Sequence, residues 1–181
     1  MKSILTLLCC FFCVAISHSQ DRYLTKSGAI NFYSKAPMED ITADNNQVLS
    51  IVDAATGKMA ISILMKSFLF EKALMQEHFN ENYVESDKYP KATFKGDILN
   101  FDDISETKTK KQVKGILTIH GVSNEITIDA NFTKTDEAIL VDGNFIIEID
   151  QYNIKIPAVV AKNIAKKIKV SFDFNHKPYK K

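Results

Sequence analysis

Apolar and polar side chains alternate with a period of two through most of this chain. Over 92–98, Ala92, Phe94, Gly96 and Ile98 fall on one side and Thr93, Lys95 and Asp97 on the other. The pattern returns over 112–120 (Val113, Gly115, Leu117, Ile119) and 125–133 (Ile126, Ile128, Ala130, Phe132). It returns again over 138–149 (Val141, Gly143, Phe145, Ile147) and 167–174 (Ile168, Val170, Phe172, Phe174). Shorter runs over 22–26, 29–35, 47–53 and 59–65 bring the expected total to about eight strands. Strands of this kind have one dry and one wet face, which describes an antiparallel sheet. Ser27-Gly28 reads as a break between the first two strands, and the Pro- and Asn/Asp-rich stretch 36–46 as a loop. Residues 54–58, ending in Gly57-Lys58, read as a hairpin turn; 105–111 is a polar loop and 120–123 a tight turn.

The period changes after a short strand end over 67–70. If 71–79 is helical, Leu74, Met75, His78 and Phe79 share one arc of about 140°, at roughly 100° per residue. Lys72, Gln76 and Asn80 lie opposite. A polar turn closed by Tyr89-Pro90 follows. A second short amphipathic helix is expected after Pro157, with Val160, Ala161, Ile164 and Ala165 apolar and Lys162 and Lys166 polar. Two short helices cannot cover so large a sheet. Curling the sheet into a barrel hides its dry face and removes its edges. The expected fold is therefore mainly β: one antiparallel barrel of about eight strands, with the first helix over an opening or edge.

The N-terminus stands apart. Met1-Lys2 precedes an uncharged apolar run over 4–16, and Ser17 and Ser19 are small residues suited to cleavage before Gln20. This is the order of a signal peptide, and the run is too short to span a bilayer. The division expected is a leader over 1–19 and one barrel domain over 20–181, exported or secreted. All three cysteines (Cys9, Cys10, Cys13) lie in the leader, so the mature chain has neither disulfide nor thiolate chemistry. Removing Lys2 from the 23 basic residues balances the 22 acidic ones, leaving no global field to attract nucleic acid. Lysines clustered from Lys155 to Lys181 read as a solvated face and tail, with at most transient contact with a membrane surface.

Three inward positions are glycines: Gly96, Gly115 and Gly143. Either they mark strand curvature, or they leave room among Phe94, Leu117, Phe145 and Phe172 for a guest. Walls with so few polar groups suit an apolar, chain-like ligand. The helix–turn–strand unit His78–Gly96 (HFNENYVESDKYPKATFKG), followed by Gly115–Val122 (GILTIHGV), resembles the YceI-like family over roughly 28–174. That resemblance implies a lipocalin-like barrel exported to the bacterial periplasm and a bound polyisoprenoid or other amphiphilic lipid, such as a quinone. The chain departs from the family where many members carry an early histidine of the type D-x-x-H-S-x-V-x-F. Here 25–32 reads TKSGAINF, without one.

No G-x-S-x-G elbow, phosphate-binding loop or dinucleotide fingerprint occurs. His78 and His120, with Glu71 and Glu77 near the first, are the residues best suited to metal or acid–base chemistry. A buried Glu71–His78 pair would hold a ligand hydroxyl or head group; more often such a glutamate simply favours the helix dipole and such a histidine caps the helix end. His120 reads as a turn residue, and two histidines without a third ligand make no zinc site. The expected function is non-enzymatic lipid carriage, with no catalytic or metal residues and no cofactor other than a bound isoprenoid lipid or quinone. Its expected ligand-binding residues are Phe70, Leu74, Met75, His78, Phe79, Phe94, Gly96, Gly115, Leu117, Ile119, Gly143, Phe145 and Phe172. A structural or protein-interaction barrel with a filled core is the alternative, and an enzyme using His78 and Glu71 a third reading. The sequence leaves a homodimer open.

Overall fold

The computed structural model describes residues 22–35, 40–157 and 164–179. The leader over 1–19, and the part of the second expected helix that carries Val160, Ala161 and Lys162, lie outside the described residues. Nine strands form one antiparallel sheet: β1 (Arg22–Ser34), β2 (Ile41–Asp53), β3 (Lys58–Leu64), β4 (Leu69–Phe70), β5 (Lys91–Ile98), β6 (Thr109–Ile119), β7 (Val122–Lys134), β8 (Ile139–Glu148) and β9 (Lys167–Pro178). Leaving β4 aside, each strand pairs with its neighbour in sequence, and β9 pairs with β1. The ring is thus an eight-stranded up-and-down barrel without a long open edge. β4 is a two-residue fragment that takes up β2 at Ala43 and Asp44, where β3 has left it.

The first two expected strands are one. Ser27-Gly28 does not end β1; the register against β2 slips between Thr25 and Gly28 and again before Ile30, so the pair is absorbed as a bulge. The Thr25 hydroxyl takes the freed Ser27 N–H. Gly28 is required there, since a Cβ would stand 2.5 Å from the Phe174 ring. The expected loop over 36–46 is likewise corrected, because β2 already begins at Ile41. Its turn-forming residues find partners within the sheet. Asn31 donates to Asp44, while fully buried Asn45 donates to the Leu64 carbonyl and accepts the Gln47 N–H. Of the polar loop 105–111, residues from Thr109 onward belong to β6, with Lys110 paired to Asp129 across the ladder. The tight turn over 120–123 narrows to His120-Gly121, both at positive φ, because Ile119 already pairs with Val122.

The barrel is filled unevenly. At the end where β2 turns into β3 and β7 into β8, Val48, Val52, Phe132, Ile139 and Phe174 are at most 1% exposed. Phe101 and Ile104, from the β5–β6 connection, are buried as well. His176 belongs to this base and has no exposure. Its Nδ1–H donates to the Ile139 carbonyl at 3.0 Å, and Nε2 accepts the Ser50 hydroxyl at 2.8 Å. The neutral ring is thereby satisfied. Burial pushes its pKa down to about 4, partly opposed by the bond to Ile139.

The three inward glycines settle a question that their spacing had left open. Gly96 and Gly115 stand directly opposite each other on β5 and β6, and the Phe94 ring lies over both. A Cβ on either would meet Phe94 Cζ at 2.7 Å and the facing strand's backbone closer still. A Cβ on Gly143 would meet Phe172 Cζ at 2.7 Å. These glycines seat aromatic rings against the wall, in the manner of aromatic rescue of strand glycines.

Two outcomes are expected. Unfolding free energy should fall by about 3 kcal/mol through His176 as pH drops from 6.5 to about 4, because the unfolded chain takes up a proton that the folded one refuses. In His176→Gln, urea titrations across that range should lose this part of the slope. Gly115→Ala places a Cβ 2.3 Å from the Lys95 carbonyl oxygen and should cost about 2 kcal/mol in the same assay.

Candidate ligand-binding cavity

Above the packed base the barrel holds a cavity of about 470 Å³. Its walls are the inward positions of the strands, among them Ile61 and Ile63 of β3, Ile126 and Ile128 of β7, Ile147 of β8, and Ile168 and Val170 of β9. Among the described residues its polar lining is confined to Ser34, His78 and Tyr83. The Ser34 hydroxyl is engaged by the Ala165 N–H, and burial raises the Tyr83 phenol above its ordinary pKa. Among the described residues no acidic, lysine or arginine side chain lines it to recognise a polar guest, and the volume lies in the range of small-molecule sites.

The mouth lies where β3 leaves the barrel for β5. A 3-10 turn, Met65–Ser67, swings the chain inward, β4 follows, and helix α1 (Ala73–His78) runs on into a π-turn, Phe79–Tyr83. The expected helix over 71–79 is therefore shorter at its start and extended, in a wider coil, at its end. Lys72, at the N-cap, gives no side-chain cap bond. The Gln76 side chain instead accepts the Phe70 N–H and ties α1 to β4. The wide coil is closed by Val84 N–H to the Phe79 carbonyl and Ser86 N–H to the Asn80 carbonyl. Asn80 donates to the Gln76 carbonyl, while its buried Oδ1 has no partner among the described residues. Phe79 stands among Phe32, Phe68 and Phe70, with centroids 5.0–5.6 Å apart, sealing the strap onto the rim.

Phe70, Met75, His78, Phe79, Phe94, Leu117, Ile119, Phe145 and Phe172 line the cavity. Leu74 does not: it is 60% exposed, because it sits at the edge of its helical arc and α1 turns the Met75 and Phe79 side of that arc inward. Gly96, Gly115 and Gly143 face inward but lie behind the Phe94 and Phe172 rings, so the rings, not the glycines, form the wall. The buried Glu71–His78 pair is also corrected, since both side chains are exposed. Among the described residues, no three acidic, histidine or cysteine side chains are grouped to hold a metal ion, and no helix is long and apolar enough to cross a membrane.

His120 has more to do than its turn suggests. Its Nε2 lies 2.6 Å from Glu85 Oε2, its Nδ1 3.2 Å from the Tyr152 carbonyl oxygen, and the Tyr89 ring packs edge-on at 4.5 Å. The hydrogen bond from His120 is the main reason why the Glu85 carboxyl is held below its ordinary range. Sequence spacing could not join residues 85, 120 and 152. The inward alternation did mark Ile126, Ile128 and Ile147, although none was among the expected ligand contacts.

The sequence of 25–176 matches the model of the YceI-like domain. The chain belongs to the YceI-like family. Solved structures of this barrel agree in fold. A polyisoprenoid binding domain from Saccharophagus degradans, implicated in plant cell wall breakdown, superposes with a TM-score of 0.76 at 15% identity, covering 88% of this chain and 99% of its own. Burkholderia cenocepacia BcnA gives 0.68 at 18% identity, covering 81% and 94%. The Campylobacter jejuni YCEI protein gives 0.50 at 18%, covering 82% and 85%. No curated protein matches the chain. In this YceI-like barrel the early histidine is absent, and the corresponding segment contributes Ile30 and Phe32 to the cavity wall.

Phe79→Ala removes one ring from the four-ring seal. Being partly buried, it should cost about 2 kcal/mol in urea unfolding. Hydrogen exchange should quicken in the strap over 73–83 but stay unchanged in the base around Phe132.

Proposed function

We propose that the protein is an exported carrier that encloses a long apolar chain, of the isoprenoid class, in the upper half of its barrel. The observation that carries this reading is the roughly 470 Å³ hollow with almost wholly apolar walls, closed at one end and strapped at the other. The barrel with a filled core, entertained from sequence, does not match that hollow. The isoprenoid class is supported by family membership and by the printed description of the Saccharophagus degradans relative. Export is supported by the order of charge, apolar run and small residues over 1–19, and removal of that leader leaves the 20–181 domain.

Affinity in such a site comes from removing the guest from water, about 25 cal/mol per Å² of apolar surface or roughly 0.8 kcal/mol per methylene. Few hydrogen bonds are needed, and few are offered. A polar head would sit at the mouth near His78 and Tyr83, and the chain would run down toward Phe94 and Phe172. The reading is carriage without chemistry, supported by a cavity lining that is almost wholly apolar.

Protein purified from its own host should show, in native mass spectrometry, one extra mass per chain that organic solvent removes. Bare chain, together with failure to bind a long isoprenoid alcohol in titration, would refute carriage. Ile128→Trp, which fills the hollow from β7 without touching the base, should weaken that binding at least tenfold and leave the melting temperature undiminished.

A further inference from the structure

The cavity mouth has two lips. One is the exit of the strap, where Tyr83 and Val84 line the cavity and Glu85 follows. The other is the connection after β8, where the turn Ile149–Tyr152 leads to Ile154 and Ile156, which line it as well. His120 stands between them and bonds to both, through the Glu85 carboxylate and the Tyr152 carbonyl. Neither partner has a proton to give. The carbonyl never does, and the Glu85 carboxyl stays ionised because its pKa is lowered. A neutral imidazole carries one N–H and serves one of these acceptors; an imidazolium serves both.

The backbone adds a second observation. Among the described residues, four that are not glycine have positive φ, and three of them meet here: Glu85 (44°), His120 (51°) and Asn153 (55°). Each piece of the junction thus holds a conformation that L side chains seldom adopt, which persists only where its surroundings enforce it.

We infer that His120 is a positioning residue that holds both lips of the mouth while protonated on both ring nitrogens, and that losing one of those protons loosens the strap. The inference rests on the carrier reading for its purpose but not for its test. Among the described residues, other charged or titratable groups around the junction have interactions of their own. Lys88 lies 3.8 Å from Glu85 and over the Tyr89 ring, Asp150 pairs with Lys166, and Asp87 pairs with Lys66. The Tyr152 phenol is raised by burial. Carboxylates, lysines and phenols do not ordinarily change charge between pH 5 and 8. His78, on the strap itself, belongs to the residue type that does, so it serves as the control. Closing retains one proton that opening releases. The open fraction therefore rises with pH, by at most tenfold per unit.

Hydrogen exchange of the amides over 79–89, measured on guest-free protein from pH 5 to 8 and corrected for intrinsic exchange, tests this directly. Opening should rise with pH in the native protein and in His78→Gln, and should be flat in His120→Gln and Glu85→Gln. Equal slopes in the native protein and His120→Gln, or no slope in the native protein, would overturn it. Should His120→Gln fail to fold, Glu85→Gln keeps the ring and the turn and decides the matter. Retinol, as a fluorescent isoprenoid probe, separates the two readings. No retinol bound by any variant at any pH counts against the carrier, whereas retinol released at a rate independent of pH counts against the pin.

Discussion

Ring closure between β1 and β2 is the constraint on which everything else depends. Once eight strands are joined edge to edge, the interior width is set and each strand contributes every second side chain to it. A barrel of that width is filled by side chains or holds one ligand, according to where the bulky ones lie. Here they are sorted along the axis. Val48, Val52, Phe132, Ile139 and Phe174 make one end solid, while the glycines draw Phe94 and Phe172 flat against the wall farther up. The hollow is what remains between them.

The rim is made differently from the ring. A closed ladder satisfies its own backbone, but a strap across a mouth must be held by side chains. The strap has a helix start without a side-chain cap bond, a π-turn and a buried amide oxygen with no hydrogen-bond partner among the described residues. Against this stand four phenylalanine rings and the imidazole of His120. Local stability in such a molecule is uneven by construction, and elements that admit a ligand belong to its weaker part.

Much of the architecture was legible because alternation with a period of two has few physical meanings. The strands after the strap were readable nearly to their ends, and so was the hairpin at Gly57. The errors cluster where polar or flexible residues found partners far off in sequence. Ser27-Gly28 became a bulge because Phe174 needed the space of a missing Cβ, and Asn45 could stay in a strand because the Leu64 carbonyl receives its amide. Leu74 was assigned inward with the whole apolar arc, but it lies at that arc's edge, and only the tilt of the strap decides which edge meets the cavity. His120 was read by its neighbours Ile119 and Gly121, whereas its work is defined by residues 35 and 32 positions away.

By itself the sequence determined which side chains of the regular strands share a face, that about eight such strands form a barrel with an apolar interior, and its kinship with the YceI-like family. Period and local turn chemistry are properties of neighbouring residues, so they survive without any knowledge of the fold. Only the tertiary structure decided that the interior is solid below and hollow above, that glycines seat rings instead of a guest, and that one histidine joins both lips of the mouth. Those outcomes turn on distances between residues remote along the chain, which exist only after the ring has closed.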